Sequence, residues 1–494
     1  MKETNRSTGL NQKFVQIKSI DTRKVKMLQD RTITDAISAL QNAGGNVYAV
    51  GGYVRDTLIG VEPKDVDLLV TNLGADEVES ALEKLHGRVD YTGKSFGVFR
   101  YRNRGVEVEI ALPRQEISTG TSHTDFNVRV DHTLSVEDDL YRRDFTVNAM
   151  AIQIDTNKVI DPFCGESDIH NKILRCVSLD SLSEDPIRIL RALVLHSRYG
   201  FTVTDETRFH MTANAKNLEV EAPERIQYEL DKLMESKNPA AGIRLAHETG
   251  VLRYILPEVA DCMGYDQNNP HHEQELGNHL ISVLERVSEK TNDPDIRMAA
   301  LLHDIGKPKS AWVDPETGSN HFYEKHMDDG TILGADHETV GWMMSIELLR
   351  RLKYSNDRVR RISDLVKFHM YAPFTSPKGA RKFINRVGEY ADDLLIIRWG
   401  DQGGKSSYPT RDDEMFNLEN EAFLLEKVRD ESQPTDVSQL AINGNDLIQA
   451  GYPQGPGIGK ILNALTLAVL DRPILNEPET LLELAAEAHD APPR

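Results

Sequence analysis

Two aspartates one residue apart, Asp65 and Asp67, stand before the apolar run Leu68-Leu69-Val70 and after the stretch Gly51-Gly52-Tyr53-Val54-Arg55-Asp56. Alternate residues of a strand share a face, so this pair sets two like charges side by side, which a cation between them would relieve. The glycines follow Val47-Tyr48-Ala49-Val50, a short apolar run with the character of a buried strand. They therefore fall at a strand-to-helix turn, where backbone amides can face phosphate oxygens. Oxygen ligands beside a phosphate-bearing substrate favour magnesium. A third carboxylate is offered by Val106-Glu107-Val108-Glu109-Ile110-Ala111-Leu112, where alternation alone does not separate Glu107 from Glu109. The chemistry indicated is the gripping of a triphosphate beside metal ions.

Further along, Glu137-Asp138-Asp139-Leu140-Tyr141-Arg142-Arg143-Asp144 crowds charges before an apolar run, and its arginines suit phosphate neutralisation. Asp185 and Arg188 stand three apart where Glu184-Asp185-Pro186-Ile187-Arg188 begins a helix, and so share a face. A carboxylate there accepts from the exocyclic amine of C or A, and meets a carbonyl in U or G. A separate set comprises His303-Asp304, His279, His337, His369 and Asp401, each in or beside an apolar helical segment. Neutral imidazoles with carboxylates suit a borderline transition metal better than magnesium.

These residues need elements to hold them. From about 31 to 178, strand-like runs at 47–50, 66–70, 97–101, 106–112 and 147–154 alternate with helical stretches, an α/β head. Beyond about 180 the strand pattern fades, and segments such as Pro186–Ser197, Pro223–Met234 and Ile281–Arg286 have helical period. The polar stretches 264–270 and 430–435 read as boundaries. The division expected is a polar tail at 1–30, a head at 31–178, a helical neck at 179–262, a domain carrying the histidines at 263–410 and a helical tail at 411–494. The 494 residues carry a formal charge of −20, which argues against general polyanion binding and confines nucleic-acid contact to local basic clusters. Those clusters are Arg350 to Arg361 and Lys378 to Arg386. Three scattered cysteines suggest a reducing compartment, and no stretch approaches the ~20 apolar residues of a membrane span, so a cytoplasmic protein is expected.

The ordered set Gly51-Gly52-Tyr53-Val54-Arg55-Asp56, Asp65-x-Asp67, Arg142-Arg143-Asp144-Phe145-Thr146-Val147-Asn148-Ala149-Met150 and Glu184-Asp185-Pro186-Ile187-Arg188 resembles the bacterial-type (class II) CCA-adding tRNA nucleotidyltransferases and their poly(A) polymerase relatives. The resemblance implies a polymerase-β-like nucleotidyltransferase head followed by mostly α-helical neck, HD and tail domains. It implies catalysis by Asp65, Asp67 and Glu109 with Mg2+ on the aspartates; Glu109 is favoured over Glu107 by its Glu-x-Ala-x-x-Arg context, Glu109 to Arg114. Gly51, Gly52, Arg55, Asp56, Arg143, Asp144, Asp185, Arg188, Arg191 and Arg225 are implied to bind nucleotide, with Asp185 and Arg188 reading the base. Residues 118–126 resemble the mobile loop that relatives need for the final A. One departure is Val194, where relatives often carry a second arginine.

The order His279, His303-Asp304, His337, His369, Asp401 resembles the HD phosphohydrolase superfamily, including the HD domain of many CCA-adding enzymes. His279, His303, Asp304 and Asp401 would hold a divalent transition metal, with His337 and His369 as ligands or phosphate-facing groups. The function implied is CCA addition to the tRNA 3′ end from CTP and ATP, by two-metal transfer with protein-side base selection. An attached domain would hydrolyse phosphomonoesters or 2′,3′-cyclic phosphates. The alternatives are a poly(A) polymerase, a partial CC- or A-adding enzyme, and an HD phosphohydrolase with a nucleotide-binding head.

Overall fold

The computed structural model describes residues 26–90, 97–118, 126–268, 275–327, 331–404 and 411–490. They form two compact units, one running to Ala222 with Thr249–Val251, the other comprising Pro223–Glu248 and the chain from Leu252 onward.

The described strands of the first unit are β1 (Asn46–Val50), β2 (Asp67–Thr71), β3 (Arg88–Asp90), β4 (Val98–Asn103), β5 (Val106–Ala111), β6 (Arg114–Ser118), β7 (Phe126–Val130), β8 (Ala151–Gln153), β9 (Val159–Ile160) and a short parallel pair, β10 (Ile173–Leu174) with β11 (Thr202–Val203). Seven form one sheet in the order β3-β4-β5-β2-β1-β8-β9, and β6 pairs with β7 as a separate ribbon. Only β2 and β5 run parallel in the large sheet, with Asp67 opposite Glu109; β1 runs antiparallel to β2, with Val50 opposite Asp67. One row across three strands thus joins the residue before the glycine pair to two carboxylates.

Strand alternation divides the core. Val47, Ala49, Leu68, Val70, Val108 and Ile110 face one layer, where α1 (Arg31–Asn42) contributes Ile33, Ala36, Ile37 and Leu40 at helical spacing. Asp30 caps α1 by accepting from Thr32 N at 2.7 Å. Tyr48, Val50 and Leu69 face the other layer, packed with Val136 and Leu140 of α4 (Val136–Tyr141). Asp67 has the parity of Leu69, so its carboxylate lies on the α4 side. The remaining helices of this unit are α2 (Gly52–Ile59), α3 (Ala75–Glu83), α5 (Gly165–His170), α6 (Ser181–Glu184), α7 (Ile187–Tyr199) and α8 (Asp205–Asn214).

Three expectations are corrected. Residues 147–154 are not one strand: Thr146–Asn148 is a 3-10 turn, and β8 starts at Ala151. The reason is Asp144, which accepts from Phe145 N–H and Asn148 Nδ2 and winds the chain before the strand. Asp65 precedes β2 rather than lying in it, although the alternation persists, with Val66 buried between two exposed aspartates. A single helix does not begin at Glu184. Residue Asp185 has φ −137° between α6 and α7, the conformation a following proline imposes.

The second unit is helical apart from two small ribbons, Trp312–Val313 with Asn320–His321 and Lys325–His326 with Ile332–Leu333. Helix Leu276–Lys290 packs on Pro239–Glu248, Pro294–Leu302 and Ala391–Gly404. Arg297, 1% exposed, donates to the carbonyls of Met234, Ser236, Ser288 and Thr291 and so closes several helix ends at once. The stretch 264–270 is more than a boundary, because Gln267 is buried within this unit. Leu440, Leu447, Leu465, Val469 and Leu481 form a further core toward the C-terminus. In the glycine-rich stretch 455–460, Gly455 is the N-cap and Pro456–Lys460 form the first turn and more of helix Pro456–Asp471. Among the described residues no helix is long and apolar enough to cross a membrane.

Candidate functional site

In the first unit the chain leaves β1 through Gly51, whose φ of 68° suits glycine, and enters α2 at Gly52. A Cβ on Gly51 would lie 2.7 Å from Arg143 Nη1 and 3.9 Å from Asp67 Oδ2. Turn, guanidinium and carboxylate therefore enclose one cradle. Arg143 is held from behind by Asp139 Oδ2 at 3.3 Å, and its buried Nε has no hydrogen-bond partner among the described residues. Asp139 also takes Arg142 Nη2 at 2.6 Å; burial opposes its ionisation, but the two arginines outweigh that and lower its pKa. Asp67 is raised, first by desolvation in the crowded cradle and then by the charge of Glu109, with Arg143 acting against both. Carboxylates repelling each other beside a guanidinium fit a site completed by a divalent cation.

The ladder separates the two glutamates that alternation could not. Glu109 sits opposite Asp67, whereas Glu107 lies beyond the paired part of β2. Arg100, across the antiparallel β4–β5 pair, reaches Glu109 at 3.3 Å and Glu107 at 3.8 Å, and Arg102 also pairs with Glu107.

The residues implied to bind nucleotide are brought together unequally. Arg55 donates to Asp56 Oδ1 at 2.9 Å, Asn148 Oδ1 at 2.6 Å and the Tyr199 hydroxyl at 2.8 Å, so each nitrogen has an acceptor within the protein. Asp144, 4% exposed, pairs with Arg191 Nη1 at 3.1 Å, and Arg191 with Arg188 holds its pKa down against its burial. Arg188, 7% exposed, donates to Ser181 and to the Arg142 carbonyl, and stands 4.0 Å from Asp185. Asp185 and Arg188 are thus adjacent as their spacing predicts, with the arginine anchored to the head. Val194 is buried in α7. Arg225 belongs to the first turn of helix Pro223–Met234 and to the second unit. Residues 119–125 of the expected loop lie outside the described residues; Ser118 and Phe126 end β6 and begin β7.

In the second unit the six predicted residues converge. His303 Nε2 is 3.2 Å from Asp304 Oδ2, and His337 and His369 Nε2 are 3.2 and 3.5 Å from Asp304 Oδ1. His279 Nε2 is 3.1 Å from Asp401 Oδ1 and 3.3 Å from His303 Nε2. The Nδ1 atoms of His303, His337 and His369 face the carbonyls of Ala300, Phe322 and Val366, at 2.8, 3.0 and 2.6 Å. An imidazole donating from Nδ1 presents a bare lone pair at Nε2. Here those lone pairs meet carboxylate oxygens, and the buried Nε2 atoms of His337 and His369 have no hydrogen-bond partner among the described residues. Such orphans pointed at a carboxylate fit a metal site. Two groups of three ligands result, His279, His303 and Asp401, and Asp304, His337 and His369, each with donor atoms within 4.8 Å of one another.

Sequence reasoning overlooked Lys307 and Gln267. The Lys307 ammonium lies 2.7 Å from Asp304 Oδ2 and donates to Gln267 Oε1 at 2.9 Å, all three side chains being buried. Lys307, with His303 beside it, drives the Asp304 carboxyl well below the usual range despite its burial. Lys307 stands three residues after the His303-Asp304 pair, but nothing local marked Gln267. Asn148 stood within a quoted motif, whereas Tyr199 and Arg100 carried no local signal.

The basic clusters are largely engaged inside the second unit. Arg351 pairs with Glu258, Arg358 with Asp231 and Asp295, and Arg361 with Asp293 and Asp393. Lys378 and Lys382 share Asp471, and buried Arg381 donates to Gln433 and the Leu470 carbonyl.

Comparison with known proteins finds four family matches along the chain. Residues 47–175 match a family described as poly A polymerase head domain and 200–263 a probable RNA and SrmB-binding site of polymerase A. Residues 276–397 match the HD domain, and 416–485 a putative tRNA nucleotidyltransferase domain 2. The chain is 31% identical over 430 residues to an A-adding tRNA nucleotidyltransferase of Deinococcus radiodurans, covering 85% of this chain and 90% of that protein. It is 40% identical over 266 residues to a multifunctional CCA protein of Neisseria gonorrhoeae, covering 53% of this chain and 62% of that one. In fold it is similar to the CCA-adding enzyme of Bacillus stearothermophilus in complex with CTP, with a TM-score of 0.64 at 22% identity, covering 93% of this chain and 97% of that one. It is similar also to the Thermotoga maritima CCA-adding enzyme complexed with tRNA, with a TM-score of 0.57 at 20% identity over 93% and 96% of the two chains.

Proposed function

This chain belongs to the tRNA nucleotidyltransferase family, and we propose that it builds the CCA end of tRNA from CTP and ATP without a nucleic-acid template. The observation that carries this reading is the row Val50, Asp67 and Glu109, with Arg143 closing the cradle over Gly51. Asp65 and Asp67 would hold magnesium beside Glu109, the third catalytic carboxylate; the metal when bound supplies charge neutralisation at the triphosphate and a lowered pKa for the attacking 3′-hydroxyl. Arg143 faces the triphosphate and counters its charge, while Gly51 and Gly52 let phosphate oxygens approach the backbone. Arg55 and Asp56 hold the turn from behind. Asp144 fixes Arg191 and Asn148, and the anchored Arg188 leaves Asp185 to accept from the amine of C or A. Opposite U or G the same carboxylate meets a carbonyl, a desolvated mismatch of about 1–3 kcal/mol.

A second reading, addition of the terminal A alone, is favoured by one observation. The relative covered over 90% of its length is named an A-adding enzyme. Incubating the chain with tRNA ending in -N, -NC or -NCC and single labelled nucleotides tests both. CCA addition extends -N and -NC with CTP and -NCC with ATP; an A-adding enzyme extends only -NCC.

In the second unit His279, His303, Asp304 and Asp401, with His337 and His369, would hold a divalent transition metal that when bound activates water against a phosphate ester. The ester class expected is a phosphomonoester or 2′,3′-cyclic phosphate. Hydrolysis of 2′,3′-cAMP that disappears in Asp304→Ala supports this, and a metal-free purified protein argues against it. The domains at 31–178, 179–262, 263–410 and 411–494 then serve as head, neck, HD and tRNA-binding tail, with Arg225 bracing the neck. The cytoplasm is the compartment this reading requires, in keeping with free Cys164, Cys176 and Cys262.

A further inference from the structure

We propose that Tyr199 is a positioning residue that latches the base-reading helix α7 to the triphosphate-gripping helix α2, so that base selection and triphosphate grip are held in one register. The proposal rests on the nucleotidyl-transfer reading.

Tyr199 ends α7, about three turns beyond Arg188. Its hydroxyl donates to Asp56 Oδ1 at 2.7 Å and accepts from Arg55 Nη2 at 2.8 Å, and the Arg55 guanidinium lies 4.6 Å from its ring centre. Both partners belong to α2, the helix that starts at the glycine turn. A second route joins the same two helices. Arg55 Nη1 donates to Asn148, Asn148 Nδ2 donates to Asp144 Oδ1 at 3.1 Å, and Asp144 Oδ2 meets Arg191 of α7 at 3.1 Å. Arg191 lies two turns from Tyr199, so the two routes grip α7 at separated points and close a ring through Arg55. Arg188 already ties the start of α7 to Ser181 and the Arg142 carbonyl, and the Tyr199 hydroxyl ties its far end to α2. Arg55 is the shared member, and its other contacts leave the Tyr199 hydroxyl as the link to the far end of α7. The ring of Tyr199 packs separately on Phe201, with centroids 5.5 Å apart, so hydroxyl and ring are distinguishable by substitution.

Tyr199→Phe removes both hydrogen bonds and keeps the ring. Losing a hydrogen bond to a charged partner costs about tenfold in an equilibrium, and here that appears as a rise of about tenfold in KM for both CTP and ATP. Because release of that far end moves Asp185 relative to the bound triphosphate, incorporation of UTP relative to CTP also rises. Phe201→Leu is the companion variant, which loosens the ring without touching the hydroxyl. It lowers Tm and leaves KM and nucleotide preference in place.

The experiment uses the full chain with a truncated tRNA, and measures kcat, KM, the UTP-to-CTP incorporation ratio and Tm for wild type and both variants. Raised KM and relaxed preference in Tyr199→Phe, absent in Phe201→Leu, support the latch. A lowered Tm in Tyr199→Phe with wild-type KM and preference overturns it and reduces the hydroxyl to a structural contact. Absence of transfer by the wild-type chain overturns instead the reading on which the latch rests.

Discussion

Asp67 carries the clearest chemical identity of any single residue here, because its raised pKa, its register with Glu109 and its place in the Gly51 cradle have one geometric cause. Replacing Asp65 or Asp67 by Ala is expected to reduce transfer by about a thousandfold while leaving Tm nearly unchanged, since neither side chain belongs to the hydrophobic core. Retention of most of the rate in either variant removes the assignment. Gly51→Ala acts at the same cradle by another route. It forces a side chain to φ 68° and into Arg143, so both nucleotide affinity and rate should fall, as single-turnover kinetics would show. Asp185→Ala is expected to raise UTP and GTP use relative to CTP and ATP; an unchanged preference would place base selection elsewhere.

At the scale of the element, buried charge organises the packing. Asp139 anchors two arginines and Asp144 a third, and both carboxyls are held below their usual pKa despite burial. A depressed folded pKa contributes stability that is present above the unfolded value of about 4 and is lost as pH falls through the folded value. Thermal unfolding followed from pH 6 to pH 3 should therefore show the head losing stability at the acid end, with a weaker dependence in Asp139→Asn. That variant also leaves Arg142 and Arg143 without their counter-charge, at a cost of roughly 3 kcal/mol. In the second unit Arg297 closes four backbone carbonyls from one guanidinium. Arg297→Ala leaves buried acceptors unpaired and should lower stability by roughly 3–5 kcal/mol, measured by urea titration.

For the molecule as a whole, a family chain of −20 charge must still hold an anionic tRNA. Arg351, Arg358, Arg361, Lys378 and Lys382 of the basic clusters are engaged in internal pairs, so the fall of tRNA affinity with salt should be shallower than the size of those clusters suggests. A plot of log Kd against log salt decides this. The HD centre makes its own whole-protein statement. Bound metal measured by elemental analysis should be lost in Asp304→Ala, because that carboxylate faces all four imidazoles. Stoichiometric metal in that variant would point to other ligands.

Local patterns in the chain were enough to say which chemistry each region could support. Asp65 and Asp67, the glycine pair, His303-Asp304 and the long helical periods are local patterns, and local patterns set residue faces and element types. Alternation alone could not decide between Glu107 and Glu109, since it specifies a face; the family context favoured Glu109, and only pairing with β2 specifies its position along that face. Nor could the sequence show that Arg55 and Arg188 are anchored within the protein, that the chain winds through a turn at Thr146–Asn148, or that Gln267 and Tyr199 complete their sites. Each of these depends on partners distant in sequence, which only folding brings within hydrogen-bond reach.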